Sequence, residues 1–285
     1  MHHFIKYNWA FCAGGYGFGR RNCWWSFRVR LHIGSTRGNF TRQDFSAQYT
    51  GSIAGFFWLF LTPIANIAIY SFVFGYVFQL RALPEFQETE FVLFMMLGYL
   101  PWFALAESVG KSTSLLIEKA GLITKVKFPV QILPIVCSLV PYMTHVIGFS
   151  LLLGYLVFQG YFSALWLWIP VIYLMQFLFT MGLVSIISAL SVFLRDLNQL
   201  VSLCITIWFF LTPIIYPISL IEDETVRSFF LFNPMHSFVS LYREIVLLGE
   251  LTYLNLLIIT PVSICSFIFG GWFFMRIKHA FGDVL

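Results

Sequence analysis

The tetrapeptide Gly110-Lys111-Ser112-Thr113 is the segment of this chain closest to reactive machinery. A glycine followed by lysine and a hydroxyl residue closes the loop whose backbone amides and lysine cradle nucleotide phosphates. That loop also needs a glycine five positions before the Gly of Gly-Lys, and the chain has Leu105 there. No strand-like run precedes it either, so ATP chemistry is assigned to another polypeptide and no catalytic residue is expected here. Glu107 lies in the same apolar run, where a carboxylate is costly unless paired or wetted. Two readings stay open for it: a pore or gate residue, and a structural hydrogen-bond acceptor to another helix or to the aqueous boundary.

Metal and thiol chemistry find little support. His2, His3, His32, His145, His236 and His279 show no ligand spacing, and His-Glu-x-x-His is absent. Cys12, Cys23, Cys137, Cys204 and Cys265 are odd in number and form no Cys-x-x-Cys pair, which suggests neither a disulfide framework nor a zinc site. Three of them sit in apolar runs as small hydrophobes. Asn39-Phe40-Thr41 is a glycosylation sequon by pattern, on the side predicted below to be cytoplasmic.

The elements that carry these residues are set by lipid. Charged residues make up 11% of the chain, against about 25% in soluble domains. Roughly 20 residues of helix cross a hydrocarbon core. The uncharged runs predict spans at about 53–78, with Pro63 and Asn66 inside, and 91–117, with Pro101 and Glu107. The charge-free stretch 128–194 holds two more, 129–158 and 165–194, followed by 199–219 and 253–275. Between the last two spans, Glu222, Asp223 and Glu224 lead into an amphipathic segment, 225–249, turned at Asn233-Pro234. Arg227, Arg243 and Glu244 oppose a full crossing there, at about 2.5 to 3.5 kcal/mol for an Arg at mid-membrane. The segment reads as short helices that dip in and return. The fold class is an all-α membrane protein with six transmembrane helices, an N-terminal amphipathic interface helix and short periplasmic re-entrant helices before the last span.

Basic residues orient it. Of the 17 Lys and Arg, all but Arg81, Arg227 and Arg243, that is fourteen, fall on one side if the N-terminus is inside. Both termini are expected in the cytoplasm. Residues 1–40 form a poorly assigned cytoplasmic extension: 25–33 alternates apolar and polar, and an alternative is that translation starts downstream of it. Gly14, Gly15, Arg20, Arg21 and Asn22 break any signal-peptide core. Phe45, Tyr49 and Ile53 share one helical face, as an interface helix at 43–53 requires. Tyr76, Tyr99, Trp102, Tyr161, Trp166, Trp168 and Tyr216 lie near predicted outer boundaries, where an aromatic belt is the first reading and stacking on sugar rings the second.

Several motifs in order then carry a resemblance. Tyr49-x-Gly51-Ser52-x-Ala54-Gly55-x-x-Trp58 with Pro63 precedes and enters the first span. Gly121-Leu122-Ile123-x-Lys125-Val126-x-Phe128-Pro129-x-x-Ile132-Leu133-Pro134 joins spans two and three, and Arg195-Asp196-Leu197 follows span four. Phe210-Leu211-Thr212-Pro213-Ile214-Ile215-Tyr216, Asn233-Pro234-Met235 and Tyr242-Arg243-Glu244 with Gly249 complete the set. Over about 41–285 the chain resembles ABC-2 type permeases of O-antigen, capsular polysaccharide and teichoic acid exporters, with Gln48 and Ala54 where that family often has Arg and Leu.

The resemblance implies the transmembrane subunit of an ABC exporter in the bacterial inner membrane, with O antigen as the expected lipid-linked cargo. It implies a homodimer with two copies of a separate ATPase, which binds the ATP and Mg; this chain needs no cofactor of its own and no nucleic acid. Coupling to the ATPase falls to the loop 118–128 and its flanks, namely Glu118, Lys119, Leu122, Lys125, Lys127, Phe128 and Pro129, with Arg195 and Asp196. Glu107, Trp58, Tyr99, Trp102 and Tyr216 are the translocation-path candidates. Asn233, Pro234, Arg243 and Glu244 belong to a periplasmic gate at 220–250. Alternatives are export of capsular polysaccharide or teichoic acid, or efflux of a smaller amphipathic substrate. An intramembrane enzyme would need clustered Asp, Glu or His, and an ion-driven transporter inverted repeats with several intramembrane ionisable groups.

Overall fold

Helix is the one backbone form that satisfies its own N–H and C=O groups within a single segment in lipid. The computed structural model describes residues 91–125, 129–194, 196–218 and 221–284, together with 57, 61, 64–66, 68–69 and 71–77. Residues 1–40, the interface helix, Trp58, Lys127, Phe128 and Arg195 lie outside the described residues, as does most of the expected first span, of which Ser71–Val77 is a π-helical stretch. Among the described residues, all regular structure is helical. In order these are α1 (Phe91–Ser112), α2 (Leu115–Glu118), α3 (Ala120–Lys125), α4 (Ile132–Phe158), α5 (Ile169–Ser191), α6 (Leu197–Leu211), α7 (Glu224–Leu231), α8 (Pro234–Arg243), α9 (Tyr253–Ile277) and α10 (Phe281–Val284). A 3-10 turn, Ala164–Trp168, leads into α5, and a π-helical turn, Glu244–Leu248, leaves α8. Among the described residues, four helices are long and apolar enough to cross a membrane: Phe91–Ser112, Ile132–Phe158, Ala164–Ser191 and Tyr253–Ala280.

Two expected spans end early, each for a local reason. The run 91–117 breaks after Ser112, where the Ser112 hydroxyl turns back onto the Val109 carbonyl at 2.6 Å and the Thr113 N–H bonds Gly110. Such local bonds compete with the helix ladder. The run 199–219 is helical only over Leu197–Leu211, because Thr212 turns extended and Pro213 has no N–H to offer the helix. Fifteen residues rise about 22 Å, short of a hydrocarbon core of about 30 Å.

α1 is the central helix. In its most apolar window 83% of residues are buried, against 17% in α9. It packs on α4, α5, α6 and α8, so its uniform hydrophobicity reflects neighbours on every side. α9 instead grips α5 along one stripe. A Cβ on Gly182 would meet the Ser266 carbonyl, and one on Gly270 would meet the backbone of Gly182, while the Ser266 hydroxyl donates to the Phe179 carbonyl at 3.0 Å. Lipid tails remove the hydrophobic drive between helices, so close backbone approach through small residues supplies the attraction.

Gly270→Val should therefore force α5 and α9 apart, an overpacking cost of about 1–3 kcal/mol or more. Gly154→Ala, where nothing lies within 4 Å, serves as the control. In thermal unfolding of the detergent-purified chain, Gly270→Val should melt well below wild type and Gly154→Ala should not. Equal midpoints would remove this contact from the fold's determinants.

Candidate functional site

Two clusters of polar side chains stand at opposite ends of α1. The first gathers around α7 and α8, whose eight and ten residues are too few to cross a membrane. Asp223 caps α7 by accepting from the N–H groups of Thr225 at 2.8 Å and Val226 at 3.3 Å, and these bonds hold its exposed carboxyl below the usual carboxylate range. Asn233 caps α8, and Pro234 fills the first helical position, where a missing N–H costs nothing.

Asn233 makes a full set of bonds. Its Oδ1 accepts from Met235 N at 3.0 Å and from Trp208 Nε1 at 2.9 Å. Its Nδ2 donates to the Leu211 carbonyl at 3.1 Å and to Thr212 Oγ1 at 2.9 Å. The start of α8 is thus tied to the point where α6 unwinds.

Arg243 makes the same connection from the other end of α8. Only 6% exposed, it donates from Nη1 to the Pro213 carbonyl and from Nη2 to the Ile214 carbonyl, both at 2.7 Å, and from Nε to the Phe94 carbonyl at 3.1 Å. Its guanidinium also lies 3.5 Å from the centre of the Phe94 ring. The broken α6 leaves Pro213 and Ile214 with carbonyls that no helix uses, and the planar fork matches two of them at once. Gly98 leaves the room: a Cβ there would stand 3.0 Å from Arg243 Nη2. Glu244 does not pair with Arg243; it accepts from Asn255 Nδ2 of α9 at 3.0 Å. Both side chains are hydrogen-bonded within the protein.

Deeper in, the Tyr242 hydroxyl donates to Gln176 Oε1 at 3.0 Å, and Gln176 Nε2 donates to the Pro101 carbonyl at 2.7 Å. Trp102 is fully buried, edge-on to Trp208 at 5.4 Å, and Tyr99 is buried against Phe103 at 4.0 Å. Neither presents its ring to the surface, and Trp102 is covered by Trp208 and Phe209 of α6. Tyr216 is partly exposed and donates to the Phe210 carbonyl at 2.6 Å. Sequence reading missed Gln176, Gly98, Trp208 and Asn255. An amide midway along an otherwise apolar span was the available signal for Gln176.

The second cluster is at the Lys111 end. Gly110-Lys111-Ser112-Thr113 is the last turn of α1 and the residue after it, with no cradle for phosphate. Lys111 Nζ bonds Glu107 Oε1 at 2.7 Å, and Thr113 Oγ1 lies 2.8 Å from both the Gly110 carbonyl and Asn198 Oδ1. Glu107 Oε2 is 3.2 Å from His145 Nε2 of α4, so this carboxylate is a hydrogen-bonded link between helices. Beyond it α2 and α3 present Glu118 at the surface and Lys119 half-buried, and α3 carries Leu122 and Lys125. Pro129 stands three residues before the start of α4, and its carbonyl accepts from Ile132 N at 3.0 Å. Asp196 is exposed and starts α6 through its carbonyl, which accepts from Gln199 and Leu200. Among the described residues no group of three or more His, Cys, Asp or Glu could hold a metal ion.

The side chains of both clusters join helices to one another. Removing the Arg243 guanidinium would orphan three carbonyls, at about 1–3 kcal/mol each where buried. Arg243→Ala should lower the melting midpoint strongly and Arg243→Lys by an intermediate amount, since an ammonium lacks the fork. Thermal melts in detergent check this, and an Arg243→Lys variant as stable as wild type would contradict the forked geometry.

Comparison with known proteins places these features in a family. The model of the ABC-2 type transporter family matches residues 39–247, which include α1 through α8. The chain is 38% identical over 210 residues to the O-antigen export system permease protein RfbA of Myxococcus xanthus, covering 72% of this chain and 77% of that one. It is 30% identical over 247 residues to a protein of the same name from Klebsiella pneumoniae, covering 86% and 93%. A match over most of both chains, in the segments that build both clusters, means that this chain belongs to the ABC-2 type transporter family.

Proposed function

We propose that this chain is the membrane-spanning subunit of an ATP-driven exporter that carries a lipid-linked polysaccharide, O antigen, across the bacterial inner membrane. The observation that carries the reading is the 38% identity to an O-antigen export permease over 72% of the chain. Two copies form the conduit. ATP and Mg are bound by two copies of a separate ATPase, consistent with a Gly-Lys-Ser-Thr segment already engaged within α1 and to Asn198. Six spans complete each copy, the first at 53–78 and the fifth made of α6 with the extended stretch after Thr212. Both termini face the cytoplasm.

In this mechanism the ATPase pushes on 118–128, with Glu118, Lys119, Leu122, Lys125, Lys127, Phe128 and Pro129, and on the turn at Arg195 and Asp196. Nucleotide-driven closure biases two arrangements of the helices. At the periplasmic end α7 and α8 form the gate, with Asn233, Pro234 and Arg243 tying it to α1 and to the end of α6, and Glu244 tying it to α9. Trp58, Tyr216 and Glu107 line or border the glycan path. Tyr99 and Trp102 stiffen its wall from inside one copy.

Three measurements test the reading. In proteoliposomes with the cognate ATPase, ATP should drive translocation of lipid-linked polymer, and absence of transport by an assembled, ATP-hydrolysing complex would reject the function. Lys125→Glu should reduce export and loop-to-ATPase crosslinking without affecting insertion, an electrostatic loss that salt screens; persistence of both would reject the coupling role. For topology, Glu88→Cys and Asp223→Cys should react with an impermeant thiol reagent in spheroplasts and Lys119→Cys should not. Labelling at Lys119→Cys would overturn the orientation.

A further inference from the structure

The six residues of α3 are too few for a helix to hold its own position, since helices this short are unstable without tertiary contacts. The internal bond from Thr124 Oγ1 to the Ala120 carbonyl, 2.9 Å, fixes nothing outside it. Its principal packing partners are α2, its neighbour in the chain, and α10, which arrives from the far side of the sequence. A 3-10 turn, Lys278–Ala280, follows α9 and delivers Phe281 at the start of α10.

Phe281 is completely buried although it lies beyond the last span. Its ring meets Phe274 of α9 edge-on at 5.5 Å and Phe193 at 6.4 Å. Phe193 stands three residues before Asp196, in the turn between α5 and α6. One side chain therefore meets the base of α9 and Phe193 in the turn that precedes Asp196, while its own helix packs on α3. The bond partners Thr113 and Asn198 join the end of α1 to the start of α6 in the same layer. Leu115 and Leu116 of α2 are buried, and α2 packs on α5. Glu118 and Asp196 are exposed, while Leu115, Leu116 and Phe281 are buried.

We propose that Phe281 is a positioning residue for energy coupling: a buried aromatic pin that locks α3 and the turn before Asp196 to the base of α9. A displacement imposed on α3 then moves a long helix, where without the pin a six-residue helix would yield locally. The proposal rests on the assignment of these two segments to the ATPase interface.

The test uses the full complex of this chain with its ATPase in lipid, carrying Phe281→Ala, Phe281→Leu or Gly282→Ala. Gly282→Ala is the control, because nothing lies within 4 Å of a Cβ there. Three quantities are read: ATPase co-purified per permease, polymer exported per ATP hydrolysed, and crosslinking of Lys125→Cys to the ATPase. Phe281→Ala should co-purify normally yet lose about fivefold in export per ATP, with lower crosslinking. Phe281→Leu should lose about twofold in export per ATP, and Gly282→Ala should match wild type. Wild-type export per ATP in an assembled Phe281→Ala complex overturns the proposal. If Phe281→Ala does not assemble, an undiminished ratio in Phe281→Leu overturns it equally. Failure of Lys125→Cys to crosslink in the otherwise wild-type complex instead rejects the underlying interface assignment.

Discussion

A guanidinium placed among packed helices must be solvated by the protein itself, and the arrangement of one end of this molecule follows from how that is done for Arg243. Its donors need carbonyls that no helix is using. Pro213 and Ile214 supply two because α6 stops at Leu211, and the third is the Phe94 carbonyl of α1. Three segments distant in sequence are fixed by one side chain. Charge-assisted bonds of about 1.5–3 kcal/mol each make that junction stiff, and Gly98 makes the approach possible.

The opposite end solves a similar problem with apolar contacts. There Leu115 and Leu116 of α2 and Phe281 of α10 are buried, while Glu118 is exposed. Glu107, a carboxylate within the expected second span, is held by Lys111 and His145 in a partly exposed setting. Pairs of that kind contribute little stability and serve better as a link between α1 and α4. Between the two ends α1 runs as the buried axis that both clusters touch. A helix in contact with both is the natural element to carry a displacement between them.

The outermost long helix, α9, has the opposite character. It holds to α5 through Gly182, Ser266 and Gly270, leaving Leu254, Leu257, Ile264, Phe269 and Trp272 exposed. In water such a surface would be a liability. In lipid it is an ordinary outer face, and close backbone contact replaces hydrophobic burial as the source of cohesion.

From the amino-acid order alone came the lipid environment, the helical class and the positions of four long helices, because the absence of charge over about 20 residues is a property of the chain itself. The turn at Asn233-Pro234 was legible for the same reason: a cap and a proline act locally. The end of α6 was not legible, since Pro63 and Pro101 also fall within predicted apolar spans and Pro101 lies inside the continuous α1, whereas α6 stops just before Pro213. Nor was the fate of Trp102, predicted at a rim and found inside, because hydropathy measures transfer out of water without distinguishing lipid from protein as the destination. Which carbonyls Arg243 would meet, that Gln176 would join Tyr242 to Pro101, and that Phe281 would be buried beyond the last span depended on contacts between residues 29 to 149 apart in the chain or on a neighbouring helix end. Tertiary structure decided these, because lipid leaves a polar group only protein partners and folding determines which of them are within reach.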